Sequence, residues 1–143
     1  MRLIFGSDHA GYGLRTQLAE QAELDGHQVT QVGAMSESSY DYPDAAEELV
    51  PRILNGDFEL GVLICGSGTG ICIAANRHKG IRAANCCSVE SAELARQHNH
   101  ANVLCLGARL VTFESAVAMM RAFLAAEPDP NSRHLRRIAK LDA

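Results

Sequence analysis

Leu60-Gly61-Val62-Leu63-Ile64-Cys65-Gly66-Ser67-Gly68-Thr69-Gly70 is the stretch that decides how this 143-residue chain folds. Its first six residues run through Leu, Val and Ile without polar alternation, the pattern of a strand buried on both faces in a parallel sheet. Three alternating glycines follow at once, and an apolar segment then resumes as a helix, Ile71 to His78.

The same strand-then-helix unit recurs on either side. Upstream, Leu3 to Gly6 reads as a strand and Leu14 to Leu24 as a helix with Leu14, Leu18 and Ala22 on one face, closed by Gly26. Gln28 to Gly33 is a second strand, Ala34 to Pro43 a polar loop, and Asp44 to Leu54 a helix that Pro51 is expected to kink or shorten. Downstream, Ile81 to Cys86 and Asn102 to Leu106 read as strands. The first leads into a helix with Ser88 as N-cap and Glu90 in its first turn. Thr112 to Ala126 carries Phe113, Ala116, Val117, Met120 and Leu124 at helical spacing, Glu127-Pro128-Asp129-Pro130 breaks it, and Ser132 to Leu141 forms a short basic helix. Five such units joined by short connections predict an α/β fold: a three-layer α/β/α sandwich around a five-stranded, mostly parallel sheet. One domain over residues 1–143 is expected, with a helical tail from about 131.

Composition narrows the class. Apolar residues make up 47% and charged residues 21%, an ordinary globular balance. The formal charge is −4, aromatics are 5% and Trp is absent, so neither a basic surface nor a stacking platform for nucleic acid is expected. No apolar stretch is long enough to span a membrane, and Met1 runs into a strand with no basic segment ahead of an apolar one, which predicts a cytoplasmic protein. Five cysteines without a C-x-x-C pair predict reduced thiols and neither a disulfide framework nor a zinc site.

In a parallel sheet, ligands bind beyond the carboxyl ends of the strands. Ser7-Asp8-His9-Ala10-Gly11 follows the first strand and the glycine loop follows the third, so the two share an edge. Gly66, Gly68 and Gly70 let backbone amides approach an anion, and the helix behind them aims its positive end at the same point. Two familiar phosphate loops are excluded. A dinucleotide fingerprint needs an acidic residue about 20 positions on, where this chain has Asn85-Cys86-Cys87; a triphosphate loop needs Gly-Lys-Ser/Thr, where Ile71 follows Gly70. Cys65, at a strand end beside a helix N-terminus, is placed to be a base or a nucleophile. Cys–His hydrolase chemistry with His9 or His98 is a rival that spacing leaves open. Cys72, Cys86, Cys87 and Cys105 are read as small buried hydrophobes. Arg133 and Arg137 stand four apart in the tail, so both can address one anion.

Taken in order, Gly6-Ser7-Asp8-His9-Ala10-Gly11, Asp41-Tyr42-Pro43, Cys65-Gly66-Ser67-Gly68-Thr69-Gly70-Ile71, Ala74-Ala75-Asn76-Arg77, Gly80-Ile81-Arg82-Ala83, Arg96-Gln97-His98-Asn99 and Gly107-Ala108-Arg109 resemble the type B ribose-5-phosphate isomerases. That wider family includes galactose-6-phosphate isomerase subunits. The resemblance implies a Rossmann-like sandwich and cofactor-free, metal-free interconversion of an aldose and a ketose phosphate. It also implies a homodimer or a dimer of dimers whose active site draws on both subunits. By position, Cys65 resembles the base that moves the proton between C2 and C1. His98 resembles the group that opens the furanose ring, with Ser67 assisting near the thiol. Asp8 and Tyr42 resemble sugar contacts. Gly66, Ser67, Gly68, Thr69 and Gly70, with Asn99, resemble the hole for the enediolate oxygen. His9, Arg109, Arg133 and Arg137 resemble the phosphate clamp, and His134 is a further candidate. A branch of the family carries Glu after the last loop glycine in place of the cysteine. Here that position is Ile71, so the chain resembles the cysteine-dependent branch. His100 and the Glu127–Pro130 segment match nothing in the pattern. Ribose 5-phosphate is the expected substrate; another sugar phosphate, such as galactose or allose 6-phosphate or a tetrose phosphate, and a non-catalytic phosphate-binding module are the alternatives.

Overall fold

Each apolar run becomes a strand in the computed structural model, which describes residues 1–143. The chain runs β1 (Arg2–Ser7), α1 (Tyr12–Leu24), β2 (Gln28–Gly33), α2 (Tyr42–Leu54), β3 (Leu60–Cys65), α3 (Thr69–Asn76), β4 (Ala83–Asn85), α4 (Val89–Asn99), β5 (Val103–Gly107), α5 (Phe113–Ala125) and α6 (Ser132–Leu141). The five strands form one sheet in the order β2-β1-β3-β5-β4, and every pairing is parallel. This is the three-layer α/β sandwich that the sequence predicts.

β3 lies at the centre and all six of its residues are buried. Leu60, Val62 and Ile64 face a core shared with α1, α4 and α5, while Leu63 and Cys65 face a second core under α2 and α3. That two-sided burial is why the strand shows no polar alternation. Truncating Leu63 to alanine would cost about 2–5 kcal/mol. The chain turns from β1 outward to β2, then returns to place β3 on β1's other side. Since α1 covers one face and α3 the other, the carboxyl ends of β1 and β3 bound a crevice at a switch in strand order.

Three expectations need correcting. Pro51 does not shorten α2, which continues to Leu54. Pro51 and Glu47 both lie on the solvent side, so water can serve the carbonyl that the proline leaves without a donor. The strand expected over 81–86 shrinks to Ala83–Asn85, because Ile81 N–H is drawn into a turn on His78 O at 3.1 Å. Nor are all the remaining cysteines buried. Cys86 and Cys105 are, Cys72 is half-buried and Cys87 is exposed.

His100, unassigned by the sequence pattern, has a clear structural place. It ends α4 in the left-handed conformation (φ 48°), and its Nε2 donates to Asp129 O at 2.8 Å. Asp129 N–H in turn donates to Gln97 O at 2.9 Å. The Glu127–Pro130 connector is thereby fastened to α4. Arg82 completes the attachment, with Nη1 on Asp142 Oδ2 at 2.7 Å and Nε on Asn99 O at 3.1 Å. No helix is long and apolar enough to cross a membrane.

Candidate active site

Cys65 is the last residue of β3, only 4% exposed, and its Sγ accepts a hydrogen bond from Gly68 N–H at 3.2 Å. Gly68 reaches that position with φ +80°, a conformation in which a side chain is strained. The space is closed as well: a Cβ there would fall 2.4 Å from Asn85 Oδ1 and 2.8 Å from the carbonyl carbon of Leu106. Asn85 is the brace the sequence reading missed. Its Nδ2 reaches Ser67 O at 3.5 Å and Thr69 Oγ1 at 3.3 Å, from the end of β4 across to the loop. The Ser67 hydroxyl accepts from Thr69 N–H at 3.2 Å.

Around this loop the crevice opens into a cleft of about 290 Å³, lined by Asp8, Tyr42, Cys65, Gly66, Ser67, Gly70, Arg109 and Leu110. Asp8 leaves β1 with its backbone N–H on Ile64 O at 3.3 Å and its Oδ1 accepting from Gly11 N–H at 3.0 Å, which fixes a buried carboxylate at the rim. Tyr42 crosses from the start of α2 to lie over Gly70. Arg109 follows β5; its N–H donates to Gly66 O at 3.0 Å and its guanidinium lies over Gly66. His9 stands beside Asp8, its Nδ1 3.1 Å from Tyr40 N. Behind them a second unforeseen residue, Arg15, is 3% exposed, with Nη1 on Ser7 Oγ at 2.9 Å and on Val32 O at 2.8 Å. Its signal in the sequence was a lone charge beside Leu14 on the apolar stripe of α1. Burial lowers its guanidinium from the ordinary value, against the pull of Tyr12 and Glu48.

The other sequence-chosen residues gather elsewhere. α4 runs antiparallel to the strands, so His98 and Asn99, at its end, lie at the amino edge of the sheet, whereas Cys65 pairs with Gly107 at the carboxyl edge. The length of β5, about 13 Å, separates the two edges. The His98 ring stacks on His134 with centroids 4.5 Å apart and an interplanar angle of 12°. His134 is buried on α6; its Nε2 is 3.5 Å from Asp129 Oδ2 but makes no hydrogen bond. Burial, then the charges of His98 and Arg133, lower its imidazole from the ordinary histidine value. Arg133 and Arg137 are exposed on the same helix. None of the five lines the Cys65 cleft.

The thiol with a markedly lowered value is Cys72, brought to about 7 by a hydrogen bond with Cys105, which burial pushes well up. Cys72 lies one turn into α3, facing a separate cavity of about 330 Å³. No cluster of three or more His, Cys, Asp or Glu side chains is arranged to hold a metal ion.

A buried strand-end thiol among glycine amides, flanked by a carboxylate, a phenol and a guanidinium, suits proton transfer on a small polar ligand with an anionic end. Comparisons with known proteins identify the family. Residues 3–141 match the family model described as Ribose/Galactose Isomerase. Ribose-5-phosphate isomerase B of Escherichia coli (strain K12) is 38% identical over 142 residues, covering 99% of this chain and 95% of that one. The structure of the Clostridium thermocellum ribose-5-phosphate isomerase B superposes with a TM-score of 0.97 at 38% identity, over 99% of this chain and 95% of that one. That of the Mycoplasma genitalium enzyme, solved with bound ribulose-5-phosphate, gives 0.92 at 39% identity, over 99% and 93%.

Proposed function

The chain belongs to the ribose/galactose isomerase family, and on that premise we propose that it interconverts ribose 5-phosphate and ribulose 5-phosphate. C2 of the open-chain aldose loses a proton to the base, an enediolate forms, the O2 hydroxyl proton passes to O1, and the base returns its proton to C1, so that the carbonyl moves from C1 to C2. Oxidation at one carbon balances reduction at its neighbour, so the chemistry calls for no external electron carrier.

The observation that carries this reading is the convergence of Asp8, Tyr42, Cys65, Ser67 and Arg109 on one cleft. Cys65 is the base. One group able to reach both carbons suffices, and the Gly68 amide on its sulfur offers a hydrogen bond that negative charge strengthens. The amides of the 66–70 loop other than those of Gly68 and Thr69, which serve Cys65 Sγ and Ser67 Oγ, receive the charge that develops on oxygen. A preplaced donor of this kind is worth about 3–4 kcal/mol in the transition state. Asp8 and Tyr42 hold the sugar hydroxyls, and His9 and Arg109 hold the phosphate, whose binding orients carbons remote from it.

The remaining roles fall to a second copy of the chain. In this reading His98 of the neighbouring subunit opens the furanose ring with Ser67 assisting. Asn99 joins the enediolate hole, and Arg133, Arg137 and His134 close on the phosphate. The separation of these side chains from Cys65 within one chain supports a homodimer with shared sites.

A direct assay with ribose 5-phosphate in the presence of chelator, alongside galactose, allose and tetrose phosphates, tests the proposal. The highest kcat/KM is expected for ribose 5-phosphate, undiminished by chelator. A preference for another sugar phosphate would reassign the substrate. Binding without turnover would make the chain a phosphate-ligand module and refute the enzymatic reading.

A further inference from the structure

The loop between β2 and α2 is fastened at both ends by one side chain. Glu48, on α2, accepts from Gly33 N–H through Oε2 at 3.0 Å and from the Tyr40 hydroxyl through Oε1. Gly33 begins this connection and Tyr40 nearly ends it, with the exposed residues 35–39 between them. Tyr40 then meets His9 with its backbone. Its N–H is aimed at His9 Nδ1 at 3.1 Å, and its carbonyl oxygen lies 3.2 Å from the same nitrogen.

We propose that Glu48 and Tyr40 are positioning residues that fix the tautomer and orientation of His9. The Tyr40 N–H can only donate to Nδ1 and the Tyr40 carbonyl can only accept from it, so one contact excludes the other. The N–H contact is the shorter, and a backbone N–H left without a partner is the costlier orphan, which favours Nδ1 as the acceptor. Nδ1 is therefore bare, and in the neutral ring the proton resides on Nε2, which has no partner within the chain and is free to donate to a ligand. The partner of one imidazole nitrogen sets the chemistry of the other. The latch holds throughout the working range. Its hydrogen bond to Glu48 raises the Tyr40 phenol to about 12, so the hydroxyl remains a donor. Without the latch only the packing of the Tyr40 ring against the core under α2 and α3 holds residue 40, the backbone contacts to Nδ1 loosen, and the imidazole regains both tautomers. The functional consequence rests on the isomerase reading, in which His9 is a phosphate ligand; the tautomer does not.

The test uses the full-length protein with Tyr40→Phe and Glu48→Gln. Long-range proton–nitrogen spectra of the ligand-free wild type, at about pH 8.5 where an ordinary histidine is neutral, are expected to show His9 protonated on Nε2 alone. Both variants should show a mixture. With ribose 5-phosphate the variants should raise KM about tenfold and leave kcat within about twofold, the loss of one hydrogen bond to a charged group made equally in ground and transition states. A wild-type His9 protonated on Nδ1 overturns the proposal, as do wild-type spectra in whichever variant folds. The spectra decide the positioning even if the wild type turns over no sugar phosphate, a result that would refute only the isomerase reading.

Discussion

The Tyr42 ring lies so close over Gly70 that a Cβ at that glycine would stand 2.7 Å from both Cε1 and Cζ of the tyrosine. The contact joins the start of α2 to the first turn of α3 across the mouth of the cleft. Since Tyr42 is 41% exposed, its ring can yield to a methyl group by swinging outward. Gly70→Ala should therefore leave the fold intact, with helix propensity contributing about 0.5–1 kcal/mol in its favour. It should lower kcat/KM about tenfold, the effect of one lost sugar contact. Kinetics of Gly70→Ala, Tyr42→Ala and the double variant check this. The two losses should fail to add, because both remove the same ring from the sugar.

Gly68→Ala should behave differently. The residue needs a positive φ, and its new methyl group would meet Asn85 Oδ1 and the Leu106 backbone rather than a mobile ring. Left-handed backbone alone costs about 1–2 kcal/mol, and the collision adds to it. Denaturant unfolding should show a clear loss of stability, and the amide bond to Cys65 should be lost with it. A variant as stable as the wild type would contradict the loop geometry.

His134 predicts a pH dependence with a definite sign. Its folded-state value is lowered, first by burial and then by His98 and Arg133, from the ordinary 6.5. In the window just below 6.5 the unfolded chain binds a proton that the folded chain refuses, so stability rises with pH there. Below the folded value both forms are protonated and the contribution is gone. Melting temperature should climb from mildly acidic to neutral pH, and His134→Gln should flatten part of that climb. An unchanged slope in the variant would count against the assignment.

Shared sites predict complementation. On the proposed reading, Cys65→Ala removes the base from one subunit's cleft, and Arg137→Ala removes a phosphate ligand lent by the other subunit. In a heterodimer one of the two sites is then intact, so random re-pairing of equal amounts should restore about a quarter of wild-type activity. Mass spectrometry would establish that the subunits exchange. Demonstrated exchange without recovered activity would contradict the shared site.

How much of this was legible in the sequence depends on how local the signal is. Leu60–Cys65 stood out because burial on both faces removes polar residues from a strand, and the glycines after it marked where backbone must approach a ligand. Pro51 misled because the penalty for proline in a helix depends on which side it faces, and only the fold reveals that it faces water. The short β4 was overestimated at its start because Ile81 is drawn into a turn on His78, a choice made by a hydrogen bond and not by composition. Asp8, Cys65 and Arg109 could be placed together because strand ends in a parallel sheet share an edge. Helix direction alone would have set His98 at the other edge, an inference available from the topology but obscured by its nearness in sequence to β5. Asn85 and the Glu48–Tyr40 latch act through long-range side-chain bonds, which leave no periodicity to read, and Arg15 shows only as a lone charge on the apolar stripe of α1.

The most direct test of the account is the turnover of ribose 5-phosphate by Cys65→Ala, followed by nuclear magnetic resonance of the sugar and paired with circular dichroism and melting of the same sample. The account predicts a folded protein that still binds the sugar phosphate and isomerises it about 10²–10⁴-fold more slowly than the wild type, the range for removal of a general base. A folded Cys65→Ala variant that isomerises the sugar at the wild-type rate would contradict it.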